Sequence, residues 1–286
     1  MKSFTLPKTL LGLILTTGFV YLLLLPANTS LYDLIMFPCP DPRTPAVACE
    51  ISRICQNGIT CQDITLKSAN GKLIYGWFFE LPGTRRVFLY SQGKGNNRYR
   101  KLHMVAKLLK CGGSVLVYDY QGWGRSQGRA SVQGSCDDAV AAYDYLVQTA
   151  GRKSGEIIAY GESFGSGVTG QLVAKRKVAA VILMSGFASL KSVGRETYPL
   201  LRFYPDCTFP AQIMDNTAVF SKPHAPLLMI HGQKDHVISF ANAKSLFEVA
   251  REPKEMLVLE QGRHVSFGNK GEWSCAIKNF IAKYKL

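Results

Sequence analysis

The chain has 286 residues, of which 47% are hydrophobic and 19% charged, and no segment is repeated or of low complexity. This composition predicts an ordinary packed core, in one α/β domain or two smaller ones. The formal net charge is +14. We interpret it first as a solvated basic surface and second as attraction to an anionic membrane surface or substrate. No nucleic-acid-binding motif accompanies the charge, so a nucleic-acid partner is not expected.

The N-terminal segment, residues 1–26, contains an uncharged apolar run from Leu10 to Leu25 that follows Lys2 and Lys8. These 16 residues would reach about 24 Å as a helix, short of the ~30 Å hydrocarbon core unless their flanks contribute. Lysines before the run favour a cytoplasmic N-terminus with the remainder exported. We predict an uncleaved signal anchor and a single-pass membrane protein with an extracytoplasmic catalytic domain, periplasmic, extracellular or lumenal. The alternative is a secreted protein released by signal cleavage.

A cysteine-rich connecting segment, residues 27–62, follows. It holds four of the eight cysteines, Cys39, Cys49, Cys55 and Cys61. In an exported protein such a cluster predicts disulfides, although four cysteines allow three pairings. A zinc site is the weaker reading, because the spacings do not match a zinc ribbon and no histidine lies nearby.

From residue 63 to residue 286, short apolar runs alternate with segments of helical periodicity. The predicted strands are Ile64–Leu66, Leu73–Phe79, Arg86–Tyr90, Ser114–Asp119, Ile157–Tyr160, Val178–Met184, Pro226–Ile230 and Met256–Leu259. The predicted helices run over Tyr99–Lys110, from Ser135 through Val147, from after Ser163 to about Lys175, over Phe240–Ala250 and over Glu272–Tyr284. This alternation predicts right-handed βαβ crossovers in a mostly parallel sheet, with the first two strands as an antiparallel edge.

One strand-to-helix junction has the pattern G-x-S-x-G, as Gly161-Glu162-Ser163-Phe164-Gly165. A serine turned outward at such a corner has a strained backbone, which requires small residues two positions before and after it. The corner also places the Phe164 N–H at a helix N-terminus, where it can face a developing oxyanion. The pattern is weak by itself, and an ordinary glycine corner is the alternative interpretation.

A serine nucleophile needs a base, which in turn needs an acid to orient it. Functional groups in an open α/β sheet collect at the carboxyl ends of the strands. Among the five histidines, His264 lies in the loop after the last predicted strand and is the candidate base. Asp235 follows the penultimate strand and is the candidate acid; Asp206 and Asp215 are weaker rivals. The order Ser163, Asp235, His264 is that of the α/β-hydrolases.

From about Ile64 to Leu286 the chain resembles the α/β-hydrolase superfamily, in particular the small membrane-anchored members that lack a cap domain. The closer resemblance rests on three stretches: Asp119–Gly128, Phe187–Leu190 and Tyr198–Leu200. It implies a three-layer α/β-hydrolase sandwich without a separate cap, and a Ser-His-Asp hydrolase that forms an acyl-enzyme and uses no cofactor or metal.

Two features depart from the family pattern. The loop after the third strand, which usually reads His-Gly-x, here reads Gln92-Gly93-Lys94. Because the oxyanion donor is a main-chain N–H, Lys94 can still serve together with Phe164. Glu162 beside the serine is also unusual; its charge would disfavour anionic substrates, and Arg98 and Arg125 are candidate partners.

The segment between Gly186 and Ala225 occupies the position where other hydrolases carry lids, and we expect either packing over the sheet edge or a wall for an acyl group. The predicted function is hydrolysis of carboxylic esters or thioesters, with lipid-derived esters among the candidate substrates. The alternatives are a peptidase or amidase that uses the same triad, and a non-catalytic binding protein on a hydrolase fold.

Overall fold

The computed structural model describes residues 8–23, 48–95, 97–209, 214–265 and 271–286. Its strands are β1 (Thr60–Lys67), β2 (Leu73–Glu80), β3 (Val87–Ser91), β4 (Ser114–Tyr118), β5 (Ile157–Glu162), β6 (Ala180–Met184), β7 (Leu227–Gly232) and β8 (Lys254–Leu259). Its helices are α1 (Lys8–Leu23), α2 (Ala48–Ile54), α3 (Leu102–Leu109), α4 (Val132–Gln148), α5 (Phe164–Val173), α6 (Leu190–Thr197), α7 (Asn216–Phe220), α8 (Phe240–Val249) and α9 (Glu272–Lys283).

The eight strands form one sheet in the order β1-β2-β4-β3-β5-β6-β7-β8. Strands β3 to β8 run parallel to one another. The hairpin of β1 and β2 joins this array antiparallel, through the pairing of β2 with β4. The predicted α/β class, with its parallel sheet and antiparallel N-terminal edge, is confirmed.

Both faces of the sheet are covered, because successive side chains of a strand point to opposite faces. In β3, Leu89 packs with helices α4 and α5, whereas its neighbours Phe88 and Tyr90 pack with α3 and α9. Helix α8 completes the first layer by packing on β6 and β7. Burial on both sides explains why the parallel strands read as continuous apolar runs. The result is a three-layer sandwich with the carboxyl ends of the parallel strands at one edge.

The segment from residue 186 to residue 225 holds only short elements within its described part. These are α6, α7 and two 3₁₀ turns, Pro199–Phe203 and Asp206–Thr208. One predicted helix start shifts: Ser131 caps α4, and its hydroxyl accepts from the Gly134 N–H at 3.0 Å. Ser135 instead lies inside the first turn, where its hydroxyl donates to the Ser131 carbonyl.

The predicted signal anchor is wrong. Helix α1 spans 16 residues, which at about 1.5 Å per residue is shorter than the ~30 Å hydrocarbon core. In the part of the chain that the structure describes, no helix is both long and apolar enough to cross a membrane. The predicted single-pass membrane topology is therefore overturned, and the alternative of a secreted protein stays a prediction.

The described cysteines of the connecting segment do not form the expected bridges. Cys49, Cys55 and Cys61 are free thiols, and Cys39 lies outside the described residues. Burial, and secondly the neighbouring Cys55, raise the pKa of the Cys61 thiol to about 12. Because disulfide exchange requires a thiolate, a thiol that stays protonated at neutral pH forms bridges slowly. The predicted division of the chain at residues 26 and 62 stays a prediction; β1 begins at Thr60, just before the second boundary.

Candidate active site

Ser163 occupies a sharp corner between β5 and α5. Its backbone has φ 55° and ψ −119°, a region that residues with a side chain rarely adopt. The flanking glycines make the corner possible: a Cβ atom on Gly161 would lie 2.5 Å from the Gly165 carbonyl oxygen, and one on Gly165 would lie 2.0 Å from that of Ser91. The spacing of small residues is therefore a steric requirement of this corner.

The structure brings Ser163, His264 and Asp235 together in one chain of hydrogen bonds. His264 Nε2 lies 2.9 Å from Ser163 Oγ, and His264 Nδ1 lies 2.8 Å from Asp235 Oδ2. An ionised carboxylate only accepts hydrogen bonds, so Nδ1 carries the proton and Nε2 is left to accept from the serine hydroxyl. The weaker rivals lie elsewhere: Asp206 pairs with Lys191, and Asp215 caps α7.

The Asp235 carboxylate is enclosed and held from two sides. Its side chain has no exposed surface, and its Oδ1 accepts the main-chain N–H groups of Val237 and Ile238, each at 2.9 Å. Burial opposes ionisation of Asp235, but the hydrogen bonds from His264, Ile238 and Val237 outweigh it and lower its pKa. The group is therefore charged at neutral pH and keeps the imidazole in one orientation.

A second histidine near the acid was not singled out from the sequence. His231 is fully buried at the end of β7, and its Nε2 lies 3.0 Å from the Ile238 carbonyl oxygen and 3.5 Å from Asp235 Oδ2. Burial lowers the pKa of His231 more than its hydrogen bond to Ile238 and its proximity to Asp235 raise it. The imidazole is neutral at physiological pH, and by its bond to Ile238 it braces the Asp235 turn. Its position at a strand end was the available signal.

The loops that carry Asp235 and His264 pack against each other through two glycines. A Cβ atom on Gly232 would lie 2.4 Å from the Gly262 carbonyl oxygen. The Lys234 N–H donates to that same carbonyl at 2.9 Å. Main-chain contact therefore sets the distance between the acid and the base, and both glycines are required for this close approach.

The loop after β3 lies against the nucleophile. A Cβ atom on Gly93 would lie 3.3 Å from Ser163 Cβ, and Lys94 is the next residue. Gln92, at the unusual position, is fully buried, and its Nε2 donates to the Tyr118 carbonyl at 2.9 Å and to Asp119 Oδ1 at 3.1 Å. Glutamine therefore ties the loop to the end of β4. Burial lowers the pKa of the Lys94 ammonium.

Glu162 has a different partner from those expected. Its carboxylate pairs with Lys101, and both side chains are buried. Arg98 pairs instead with Asp119 at 2.5 Å, again with both groups buried, and Arg125 lies over the ring of Tyr75. The Glu162 charge is compensated inside the protein.

General-base activation of a serine requires a hydroxyl that is hydrogen-bonded to an imidazole, with the imidazole hydrogen-bonded in turn to a carboxylate. Ser163, His264 and Asp235 have this arrangement. Phe164 begins helix α5 directly after Ser163, and the Gly93 main chain lies close to the Ser163 side chain. Within the described ranges, no group of three or more His, Cys, Asp or Glu side chains is arranged to hold a metal ion.

The sheet order, the two helical layers and the serine corner together define an α/β-hydrolase fold. Solved structures agree. An esterase from Pyrococcus furiosus superimposes with a TM-score of 0.70 at 17% identity, over 86% of this chain and 97% of that one. The esterase domain of a Rhodothermus marinus protein superimposes with a TM-score of 0.59 at 19% identity, over 78% of this chain and 97% of that one. At these identities the likeness concerns the fold alone.

Sequence comparison extends the likeness from fold to family. The family model described as serine aminopeptidase, S33, matches residues 83–203. An uncharacterized protein of Mycobacterium tuberculosis is 31% identical over 207 residues, 69% of this chain and 70% of that protein. Alpha/beta hydrolase domain-containing protein 17B of Xenopus laevis is 32% identical over 207 residues, 71% of this chain and 68% of that protein. The chain belongs to the α/β-hydrolase superfamily and is a hydrolase of the α/β fold.

Proposed function

We propose that this protein is a serine hydrolase that cleaves small carboxylic esters or thioesters through an acyl-enzyme. The observation that carries the proposal is the hydrogen-bond chain from Ser163 Oγ through His264 to the buried Asp235. Burial of an ionised carboxylate costs free energy, and such groups are concentrated at functional sites. The esterase names of the two structural neighbours agree with this substrate class.

In the first half of the reaction, Ser163 Oγ attacks the acyl carbon while its proton moves to His264 Nε2. The carbonyl π electrons move onto oxygen, and the main-chain N–H groups of Phe164 and Lys94 are the proposed donors to this oxyanion. Asp235 stabilises the imidazolium that forms and remains ionised itself. When the intermediate collapses, the bond to the leaving group breaks, and the leaving alcohol or thiol takes the proton from His264.

In the second half, water attacks the acyl-enzyme and gives one proton to His264 Nε2. The tetrahedral intermediate collapses, the Ser163 Oγ–acyl bond breaks, and the same proton returns to Oγ. The products are the free acid and the original enzyme. The cycle needs no redox partner, and every proton it moves passes through His264.

A fluorophosphonate probe tests whether Ser163 is an active nucleophile. We expect covalent labelling of the wild type, no labelling of Ser163→Ala, and unchanged labelling of Ser154→Ala, which alters an exposed serine. Equal labelling of wild type and Ser163→Ala would overturn the proposal. A wild type that is not labelled and hydrolyses nothing would favour a non-catalytic binding protein.

A substrate series separates the possible leaving groups. We expect turnover of p-nitrophenyl esters and of acyl thioesters of matched chain length, with much slower turnover of the corresponding p-nitroanilide. The matching family model is named for an aminopeptidase, so an aminoacyl p-nitroanilide belongs in the series. Preferred hydrolysis of that compound would replace the esterase assignment by the peptidase one while leaving the proposed nucleophile intact.

A further inference from the structure

The residue immediately before Ser163 is a buried carboxylate in a cluster of three polar side chains. Glu162 Oε2 accepts the Tyr90 hydroxyl at 2.6 Å, and Glu162 Oε1 pairs with Lys101 Nζ. The exposed fractions are 2% for Glu162, 5% for Lys101 and 0% for Tyr90. Burial first, and then the neighbouring Glu162 charge, raise the pKa of Tyr90 well above its usual value, so the phenol stays protonated and donates.

Stability alone does not account for this cluster. Desolvating two opposite charges costs about as much as their attraction returns, and apolar side chains of similar volume often stabilise a core equally well. The surroundings are apolar and aromatic, since Tyr90 also packs edge to face on Tyr160 at 5.1 Å. The charged pair is therefore better explained by a geometric role. Hydrogen bonds are directional and hold groups in fixed positions more strictly than apolar contacts do.

The cluster links the segments before and after the loop that carries Lys94. Tyr90 lies in β3, just before the loop. Lys101 lies after the loop, directly before the first residue of α3. Glu162 joins these two flanks from the neighbouring strand β5. Within the loop, a Cβ atom on Gly93 would lie 3.1 Å from Glu162 Oε1 and 3.3 Å from Ser163 Cβ. The same carboxylate oxygen therefore pairs with Lys101 and leaves no room for a side chain at Gly93, the residue before Lys94.

We propose that Glu162 is a positioning residue, which holds the Gly93-Lys94 main chain at the correct distance from Ser163 for the Lys94 N–H to meet the oxyanion. This inference rests on the proposed function. An oxyanion donor works through its position relative to the transition state, and loss of one donor costs about 10²- to 10³-fold in kcat. Displacement of a donor that is still present costs less, and we expect about 10- to 100-fold in kcat with KM unchanged.

Two variants separate positioning from mere folding. Glu162→Gln keeps the shape but leaves the Lys101 ammonium buried without its counter-charge, so this variant loses stability as well as activity. The double variant Glu162→Gln, Lys101→Met removes both charges and should recover the thermal midpoint while kcat stays about 10- to 100-fold low. If kcat recovers together with the midpoint, the cluster is structural only and the inference is overturned.

A trifluoromethyl ketone inhibitor reports on the oxyanion site directly, because its adduct with the serine carries an oxyanion. For the double variant, Ki should rise by the same factor as kcat/KM falls, while KM for the ester is unchanged. A Ki equal to that of the wild type would overturn the inference. Glu80→Gln is the matched control: it unpairs the buried Arg152 at the opposite edge of the sheet and should reduce stability with kcat unchanged.

The same measurements distinguish failure of the inference from failure of the proposed function. If the wild type hydrolyses esters through Ser163 and the double variant matches it in kcat and Ki, only the role of Glu162 is refuted. If the wild type shows no hydrolysis dependent on Ser163, the proposed function fails and the inference fails with it.

Discussion

The two sides of the candidate site are held in place by different interactions. On the nucleophile side, two buried ion pairs, Asp119–Arg98 and Glu162–Lys101, anchor the loop beside Ser163. On the acid–base side, main-chain hydrogen bonds and a glycine contact hold the loops, and the His264 side chain is 21% exposed. Charged side chains thus fix one half, and the backbone fixes the other. Different substitutions should therefore disable each half.

The largest expected effect is on the base. His264→Ala should lower kcat by about three or more orders of magnitude, because the Ser163 hydroxyl loses its proton acceptor. Steady-state hydrolysis of a p-nitrophenyl ester measures this loss. His103→Ala, at an exposed site on α3, is the control and should retain wild-type kcat. A loss below about tenfold in His264→Ala would show that another group is the base.

On the nucleophile side, Asp119→Asn should lower the free energy of unfolding by about 3 kcal/mol, since the buried Arg98 guanidinium loses its counter-charge. Urea denaturation measures this change. Glu255→Gln breaks the exposed pair with Lys283 and should leave the midpoint almost unchanged, because solvent screens exposed charges. Equal shifts in both variants would refute the claim that buried ion pairs stabilise this half.

On the acid–base side, Gly232→Ala should destabilise the protein by about 2 kcal/mol, because the new methyl group collides with the Gly262 carbonyl and pushes the loops apart. We also expect kcat to fall, since the distance between Asp235 and His264 changes. Gly155→Ala is the control: a Cβ atom there meets no heavy atom within 4 Å. Wild-type kcat in Gly232→Ala would contradict the backbone-controlled geometry.

The lowered pKa of Asp235 predicts a smaller, pH-dependent effect. A carboxyl group with a depressed folded-state pKa contributes stability that is complete above its unfolded value of about 4. This contribution to stability is lost as the pH falls through the pKa of the folded state. Asp235→Asn should therefore lower the unfolding free energy by about 1 kcal/mol at pH 7, and the difference should vanish in strong acid. Urea midpoints at pH 7 and pH 3 measure it; a difference that does not depend on pH would contradict it.

The smallest effect is expected where the His264 loop is braced by one side chain. The Val265 N–H donates to Ser185 Oγ at 3.3 Å, a long and therefore weak bond. Ser185→Ala should lower kcat only about threefold, with stability nearly unchanged. Ser245→Ala, on the surface of α8, should change neither quantity. A loss above about 100-fold would mean that side-chain bonds, and not the backbone, hold this half.

Much of the architecture could be predicted from local sequence patterns. Apolar runs and helical periodicity identified the strands and helices, since burial on both faces of the sheet leaves a continuous hydrophobic signal. Helix α4 was found with a late start, because Ser131 and Ser135 both lie in capping-like contexts and only the backbone conformation decides between them. The apolar N-terminal run was misread: its flanks were expected to lengthen the membrane span, but helix α1 has only 16 residues.

For the candidate site, chain order and strand ends selected Ser163, Asp235 and His264 before any geometry was known. They could not assign the partners of Glu162: the expected arginines pair or stack elsewhere, and Lys101, 61 residues away, takes that place. His231 was also missed: its position at a strand end was visible in the sequence, but its hydrogen bond to the Asp235 turn was not. Such contacts join residues that are distant in the chain, and only packing decides them.

By itself, the amino-acid sequence determined the alternation of strands and helices, the glycine spacing around Ser163 and the order of the three candidate catalytic residues. These features depend on local steric constraints and on the hydrophobic period, and both are set by residues that are close together in the chain. The tertiary structure alone decided that Gln92 ties its loop to β4, that Gly232 meets Gly262, and that Glu162 is neutralised by Lys101. Each of these depends on which strand ends the folded sheet brings side by side, and that arrangement belongs to the whole chain.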